Sequence, residues 1–235
     1  MKVYYLQPRG LHRKIIPMPR RLIPFVDSEF YHIYNRGVEK RKIFTQPRDY
    51  KRFIRTLFYY QFTSPKPSFS KFAKSELNLF KPVLENKIAE VICYCLMPNH
   101  FHLLIRQLKD SGISTLLGQI SNSYTKYFNT KYTRVGSLLQ GTFKAVPIET
   151  DEQLLHVSRY IHLNPVVSGL VNKLDTYKWS SYSEFINGQE SFCSSQEILN
   201  FFPSPPKYKE FVEDQIDYGT TLEILKHQGT IDLDE

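Results

Sequence analysis

Residues 97–105 read Met-Pro-Asn-His-Phe-His-Leu-Leu-Ile, a pattern typical of a tight turn followed by a buried β-strand. Because side chains alternate between the two faces of a strand, His100 and His102 are expected on one face and Phe101 on the other. Buried polar side chains need a partner or a ligand. The two imidazoles therefore predict either half of a metal site or a structural histidine pair without metal.

The elements around this stretch predict an α+β fold. The strand itself is expected to cover residues 100–107, and apolar or alternating runs predict three more strands, at residues 30–37, 88–96 and 138–148. Helical spacing of apolar residues predicts helices from Pro47 onward, over residues 114–129, and from Asp151 to about Leu163. The order strand–helix–strand–strand–helix–strand is the split βαβ pattern of ferredoxin-like domains, an antiparallel sheet with helices on one face.

Both ends of the last of these helices carry signals in the sequence. Thr150 is a plausible N-cap, and Asn164-Pro165 is expected to end the helix, because the residue before a proline disfavours helical backbone. The whole chain divides into a basic arm, a domain with an irregular insertion, and a helical C-terminal tail, predicted at residues 1–26, 27–190 (insertion 63–86) and 191–235.

The charge balance favours a polyanionic partner. The 235 residues include 31 Lys and Arg against 23 Asp and Glu, a net charge of +8, which suits nucleic acid, although a basic soluble protein with a solvated surface has the same balance. Three cysteines without a disulfide pattern fit a reduced cytosolic compartment. There is no apolar run long enough for a membrane span and no signal-peptide core, so a cytoplasmic protein without membrane contact is predicted.

One face of the last predicted helix carries a phenol and an amide. His156, Tyr160 and Asn164 are spaced four residues apart and therefore share that face. Packed against the two-histidine strand, this face would form a His-His-amide metal site beside a tyrosine nucleophile. The following proline weakens the expectation for Asn164, and a tyrosine packed at the edge of the core is the alternative for Tyr160.

Other residues compete for these roles. Tyr124 and Tyr127 are alternative nucleophiles by spacing, but their surroundings favour a core stripe. His156 is expected to be solvated, and His162 to serve packing or lie on the surface. The aromatic side chains Tyr34, Phe143 and Tyr182 are candidates for stacking on unpaired bases.

Two stretches closely resemble the single-tyrosine HUH transposases, and most of all the branch of REP-associated tyrosine transposases. They are residues 94–104, Tyr-Cys-Leu-Met-Pro-Asn-His-Phe-His-Leu-Leu, and residues 160–171, Tyr-Ile-His-Leu-Asn-Pro-Val-Val-Ser-Gly-Leu-Val. Shorter supporting matches occur at residues 31–37, 140–144 and 179–182, and the resemblance spans about residues 28–186.

The resemblance implies an enzyme that cleaves and rejoins single-stranded DNA near hairpins or palindromic repeats. It implies that His100, His102 and Asn164 bind a divalent metal ion, Mg²⁺ or Mn²⁺. Tyr160 would attack a phosphodiester and become linked to the 5′ phosphate. By matched position, three further side chains are candidates for DNA contact or for ordinary surface roles: Arg36, Gln140 and Lys144.

Several alternatives stay open at this point. A protein descended from such an enzyme could bind DNA hairpins without cleaving them, and a metal-dependent hydrolase would use water as its nucleophile. Replication initiators and plasmid relaxases share the histidine pair, but they carry extra domains. The family also implies a nucleoid-associated protein that works as a monomer or as a homodimer exchanging the tyrosine helix.

Overall fold

The computed structural model describes residues 24–63, 68–74, 83–188 and 192–227. The predicted basic arm therefore lies outside the described residues except for residues 24–26, and so does part of the predicted insertion. Four strands form one sheet: β1 Phe30–Arg36, β2 Ala89–Met97, β3 His100–Gln107 and β4 Lys144–Ile148. Their spatial order is β2-β3-β1-β4, and every neighbouring pair is antiparallel. This order confirms the predicted ferredoxin-like α+β fold.

Eight α-helices occur in the described part of the chain: α1 Pro47–Tyr60, α2 Phe69–Lys74, α3 Gly112–Lys131, α4 Asp151–Val167, α5 Tyr182–Asn187, α6 Gln196–Leu199, α7 Pro205–Glu213 and α8 Ile216–His227. Thr150 caps α4, since its hydroxyl accepts a hydrogen bond from the Gln153 amide at 3.1 Å. None of the described helices is long and apolar enough to cross a membrane.

Both faces of the sheet are covered by helices. On one face Phe101, Leu103 and Ile105 of β3 pack against α1 and α3 in the larger apolar core. On the other face Leu104 belongs to a second core, which α4 and the C-terminal helices complete. The structure thus adds a second helical layer to the predicted one, and it leaves the polar end of that second face uncovered by apolar side chains.

The predicted strand over residues 138–148 is more than twice as long as β4. Only Lys144–Ile148 pairs continuously with β1, while Leu139 makes an isolated bridge to Gly37. Gly141 between them has φ of +63°, a conformation that turns the chain away from a sheet. The early apolar residues are buried without ladder pairing.

The predicted end of α4 at Asn164-Pro165 is also wrong, because the helix continues to Val167. A proline so near the C-terminus removes only one helical hydrogen bond, and the last turn closes around it. The amide of Ser168 donates to the Asn164 carbonyl, and the amide of Leu170 to the Pro165 carbonyl. The side chain of Asn164 therefore keeps its helical direction, one turn after Tyr160.

A buried carboxylate joins α1 to α3. Asp49 is fully buried and accepts hydrogen bonds from the Gln46 amide, Lys131, Tyr132 and Tyr127. Burial opposes ionisation of this carboxyl group, but these hydrogen bonds outweigh it and lower its pKa from 3.8 to about 2.

Replacing Asp49 with asparagine should lower the free energy of unfolding by about 2 kcal/mol at pH 7, the value of the pKa shift. Since the folded-state pKa is depressed, this contribution is complete above about pH 4 and disappears as the pH falls towards 2. Urea unfolding of the wild type and Asp49→Asn at pH 7 and pH 3 measures it, with the exposed Asp110→Asn as control. A difference as large at pH 3 as at pH 7 would contradict this assignment.

Candidate active site

The two histidines of β3 lie at the polar end of the second sheet face. Their ring centroids are 5.0 Å apart and the ring planes are nearly perpendicular. His102 is only 6% exposed, and in the register it faces Tyr34 of β1, while His100 faces Arg36. Strand alternation thus places both imidazoles on one face, as expected from the sequence.

A third histidine, which the sequence reasoning missed, completes this group. His32 of β1 places Nε2 3.0 Å from Nδ1 of His102, and their rings are partly stacked, with centroids 5.2 Å apart. His32 lies 70 residues before His102, so only the cross-strand pairing of β1 and β3 brings the two together. The sequence held one indication of this position. His32 and Tyr34 are two residues apart in a predicted strand, so their side chains share a face of the sheet.

All three imidazoles are neutral at physiological pH. Burial lowers the pKa of His32 to about 4, and burial together with the Arg36 charge lowers that of His100 to about 4. Burial, and then the neighbouring His100 and His32, hold the pKa of His102 well below its usual value. A neutral imidazole offers a lone pair, which is the form that binds a metal ion.

The hydrogen bonds of His100 and His102 leave one ring nitrogen of each histidine able to bind a cation. Nδ1 of His100 lies 2.7 Å from Oδ1 of Asn99; this oxygen can only accept, so Nδ1 carries the proton and Nε2 keeps its lone pair. For His102 the same state requires Nδ1 to donate to Nε2 of His32. Metal-binding histidines typically donate their second nitrogen in this way. The donor chemistry of the pair therefore fits a divalent cation.

Within the described ranges, no group of three or more His, Cys, Asp or Glu side chains is placed to hold a metal ion. The predicted ligand set contains only two residues of these types, with the amide of Asn164 as its third member. The Asn164 side chain donates from Nδ2 to the Tyr160 carbonyl at 2.7 Å, which leaves Oδ1 as the atom for ligation.

Helix α4 places a tyrosine over the histidine group. The ring centroid of Tyr160 lies 5.4 Å from that of His102 and 5.8 Å from that of His32, edge-on to both. Tyr160 is 47% exposed, while its neighbour Ile161 is buried in the second core. One chain thus brings together a solvent-accessible phenol and the imidazoles, and α4 needs no second protomer to reach them.

Comparisons with known proteins agree with this arrangement. A family model described as "Transposase IS200 like" matches residues 66–164, a range that includes both histidines of β3, Tyr160 and Asn164. This part of the chain is similar to the IS200-like transposases. A search among curated proteins found no significant match.

One of two similar solved structures supports the fold. A REP-associated tyrosine transposase, whose structure is described as bound to a REP hairpin, is similar with a TM-score of 0.50 and 13% sequence identity, covering 74% of this chain and 90% of that one. A bacterial tRNA(His) guanylyltransferase-like protein in complex with GTP has a TM-score of 0.41 and 10% identity, covering 83% of this chain and 92% of that one. A TM-score this low carries no argument about function.

The three candidate DNA-contact residues lie at the rim of this group. Arg36 donates from Nε to the Gln140 side-chain oxygen, and the Gln140 amide donates to the Arg36 carbonyl at 2.8 Å. Lys144 faces Tyr34 across the sheet, with its ammonium group 5.9 Å from the ring centroid. All three are exposed on the histidine side, which gives the group a positive rim.

The three aromatic residues that were candidates for stacking on bases have different environments in the structure. Tyr182 is fully buried in the second core, so the prediction that it could stack on bases is wrong. Phe143 packs against Phe25 with ring centroids 6.3 Å apart. Tyr34 lies beside His102, with centroids 5.9 Å apart, and is half-buried.

The alternative nucleophiles lie elsewhere. Tyr124 is fully buried and Tyr127 donates to Asp49, both in the layer formed by α1 and α3, on the opposite face of the sheet from the histidines. His156 is exposed on α4, with Nδ1 2.6 Å from an Arg159 nitrogen. Of the three tyrosines considered as nucleophiles, Tyr160 is thus the one that contacts the histidine group.

A buried histidine anchors the tyrosine helix from behind. His162 is fully buried, with Nδ1 2.8 Å from the Tyr208 hydroxyl of α7 and Nε2 2.9 Å from the Ser181 hydroxyl. Burial lowers its pKa to about 3, so it stays neutral and bridges two hydroxyl groups. The C-terminal helices therefore pack on α4 two residues from Tyr160, while the predicted domain boundary at residues 190/191 stays a prediction.

Proposed function

We propose that this protein cleaves and rejoins single-stranded DNA near hairpins or palindromic repeats, through a covalent link between Tyr160 and a 5′ phosphate. The observation that carries the proposal is the position of the Tyr160 ring, 5.4 Å from His102 within one chain. The match to IS200-like transposases supports the reaction class. The hairpin in the structure of the similar REP-associated transposase supports the substrate class.

The residues present can perform the chemistry. The Tyr160 oxygen attacks the phosphorus and loses its proton to solvent, the bond from phosphorus to the 3′ oxygen breaks, and that oxygen leaves as a 3′ hydroxyl after taking a proton. A phenol has a pKa of about 10 and needs help at neutral pH. A divalent cation held by His100, His102 and Asn164, Mg²⁺ or Mn²⁺, would supply that help by offsetting charge on the phosphate.

The phosphotyrosine bond keeps the reaction reversible without ATP. One phosphodiester is exchanged for another, so a 3′ hydroxyl can attack the Tyr160 phosphoester and release the phenol, which rejoins the strand. In this scheme the neutral His32 orients His102. Arg36 and Lys144 attract the phosphates on either side of the cleaved bond.

The proposal is tested with DNA hairpins drawn from repeats that flank the gene, labelled on the 3′ side of the expected cleavage site. Incubation with Mn²⁺ or Mg²⁺ should produce a labelled protein–DNA adduct that survives denaturing electrophoresis, and a chelator should prevent it. Tight binding without cleavage, across ions and repeats, would favour a hairpin-binding protein that has lost catalysis.

Because Tyr160 lies over the histidines of its own chain, Tyr160→Phe and His102→Ala should not complement each other. Mixtures of the two variants should form no more adduct than either alone. A homodimer that exchanges α4 would instead regenerate about a quarter of the sites. Mixtures of the wild type with each variant show whether a variant inhibits the wild-type protein. Activity recovered in the mixture of the two variants would show that one active site combines residues of two chains.

A further inference from the structure

Helix α7 contacts the tyrosine helix directly behind Tyr160. The Tyr208 hydroxyl oxygen lies 2.8 Å from Nδ1 of His162 and 3.3 Å from Oγ of Ser158. Ser158 and His162 are two residues before and two residues after Tyr160, so their side chains point to the opposite side of α4. Tyr208, His162 and Ser158 are all fully buried. One hydroxyl group thus holds α4 on both sides of the proposed nucleophile.

A second contact between α4 and α7 lies beside the first. The guanidinium of Arg159 lies 4.3 Å above the Phe211 ring centroid, and its Nη1 donates to the Phe211 carbonyl at 3.3 Å. Arg159 directly precedes Tyr160, and Phe211 is three residues after Tyr208, on the same side of α7. Rotation of α4 about its axis, or sliding along it, would break both contacts together. The two contacts therefore oppose both movements.

The same group of hydrogen bonds connects the tyrosine helix to the strands beside the catalytic histidines. Nε2 of His162 lies 2.9 Å from the Ser181 hydroxyl oxygen. This oxygen accepts a hydrogen bond from the Tyr94 amide at 2.9 Å, and the Ser181 amide donates to the Tyr94 carbonyl at 3.0 Å. Tyr94 of β2 faces Leu103 of β3 in the register, and Leu103 directly follows His102. A continuous chain of hydrogen bonds thus runs from α7 through α4 to the strand pair that carries His102.

The polar character of this chain indicates a role beyond packing. Aromatic rings lie around His162, with the Phe185 centroid 4.8 Å away, so an apolar side chain would suit the same surroundings. Burying polar groups costs free energy that apolar groups do not cost. Hydrogen bonds, however, depend strongly on distance and angle, and a fully satisfied buried network specifies one arrangement of the elements that it joins. Here these elements are the tyrosine helix and the histidine strands.

We propose that Tyr208 is a positioning residue for the nucleophile: through Ser158 and His162 it fixes α4 so that the Tyr160 phenol stays over His102. The inference rests on the proposed function, since it explains how the same nucleophile is held at the site. A misplacement of about 1 Å can cost about a hundredfold in rate. Helix α7, which follows the predicted domain boundary at residues 190/191, then contributes to catalysis without touching the reacting atoms.

The test compares Tyr208→Phe with Tyr124→Phe. Each substitution removes one hydroxyl group from a fully buried tyrosine, and the Tyr124 hydroxyl donates to the Ile43 carbonyl at 2.6 Å in the core on the opposite face of the sheet. Single-turnover adduct formation is measured over a range of hairpin concentrations with saturating Mn²⁺, well below the melting temperature of each variant. Tyr208→Phe should lower the rate at saturating hairpin by about ten- to a hundredfold and leave the half-saturating concentration within about twofold. Tyr124→Phe should keep the wild-type rate, although both variants should melt at a lower temperature.

Three results would overturn the proposal. An unchanged rate in Tyr208→Phe would show that α4 keeps its position without the hydroxyl group. A faster rate would show that α7 restrains Tyr160 instead of placing it. An equal loss in Tyr124→Phe would show that the rate follows overall stability, whichever core is weakened.

Amide hydrogen exchange reports on α4 independently of catalysis. The amides of α4 around Tyr160 should exchange about fivefold faster in Tyr208→Phe than in the wild type, because the helix opens locally more easily, and Tyr124→Phe should leave them unchanged. Absence of adduct in the wild type would refute the proposed catalysis. Exchange alone would then decide whether Tyr208 fixes α4, and unchanged exchange in Tyr208→Phe would overturn that assignment too.

Discussion

Replacing Tyr160 with phenylalanine is expected to abolish the covalent protein–DNA adduct, with a loss of at least about a thousandfold in rate. The substitution removes one oxygen atom, the nucleophile, and leaves the ring over the histidines. Because Tyr160 is 47% exposed, the loss should not extend to folding. The effect is the largest expected from any single-atom change in this chain.

The measurement follows the 3′-labelled strand on a denaturing gel, with hairpin binding measured in parallel. Hairpin affinity of Tyr160→Phe should stay within about twofold of the wild type, since the phenol adds no more than one hydrogen bond to the bound DNA. Tyr218→Phe is the matched control, because Tyr218 is 64% exposed on α8. If Tyr160→Phe still cleaves and releases free DNA, water is the nucleophile and the protein is a hydrolase.

Replacing His102 with alanine should remove metal-dependent cleavage and reduce Mn²⁺ affinity by more than about a hundredfold, because the central imidazole of the site is lost. His32→Ala should have a smaller effect, about ten- to a hundredfold in Mn²⁺ affinity, since His32 contacts His102 and orients it. Saturating Mn²⁺ should rescue cleavage by His32→Ala but not by His102→Ala.

Isothermal titration with Mn²⁺ in the absence of DNA measures these affinities independently of activity. His156→Ala is the control, an exposed histidine on the tyrosine helix four residues before Tyr160, and it should bind Mn²⁺ like the wild type. Mn²⁺ affinity unchanged in His102→Ala would show that the three histidines form a structural group, and that the cation binds elsewhere.

Much of the site was predictable from local patterns. Strand alternation put His100 and His102 on one face, and helical spacing put Tyr160 and Asn164 on another. The resemblance to the transposases then predicted that these two faces form one site, which periodicity alone did not predict. Local rules failed at Pro165, whose effect on α4 depends on how close it lies to the end of the helix. They also failed in the strand predicted over residues 138–148, which Gly141 interrupts.

Other features depended on contacts between distant parts of the chain. His32 meets His102 through strand pairing, His162 meets Tyr208 through packing of the C-terminal helices, and Asp49 meets Lys131 where α1 packs on α3. Each of these contacts joins residues at least 46 positions apart. No local spacing encodes such a pair.

The amino-acid sequence alone predicted the order of strands and helices, the resemblance to the transposases and the nucleophile candidate, because these follow from residue periodicity and short motifs. Only the folded structure placed His32 beside His102 and anchored the tyrosine helix through His162. The physical reason is that periodicity assigns a side chain to a face of its own element. Which faces then meet depends on the register and packing of the whole domain.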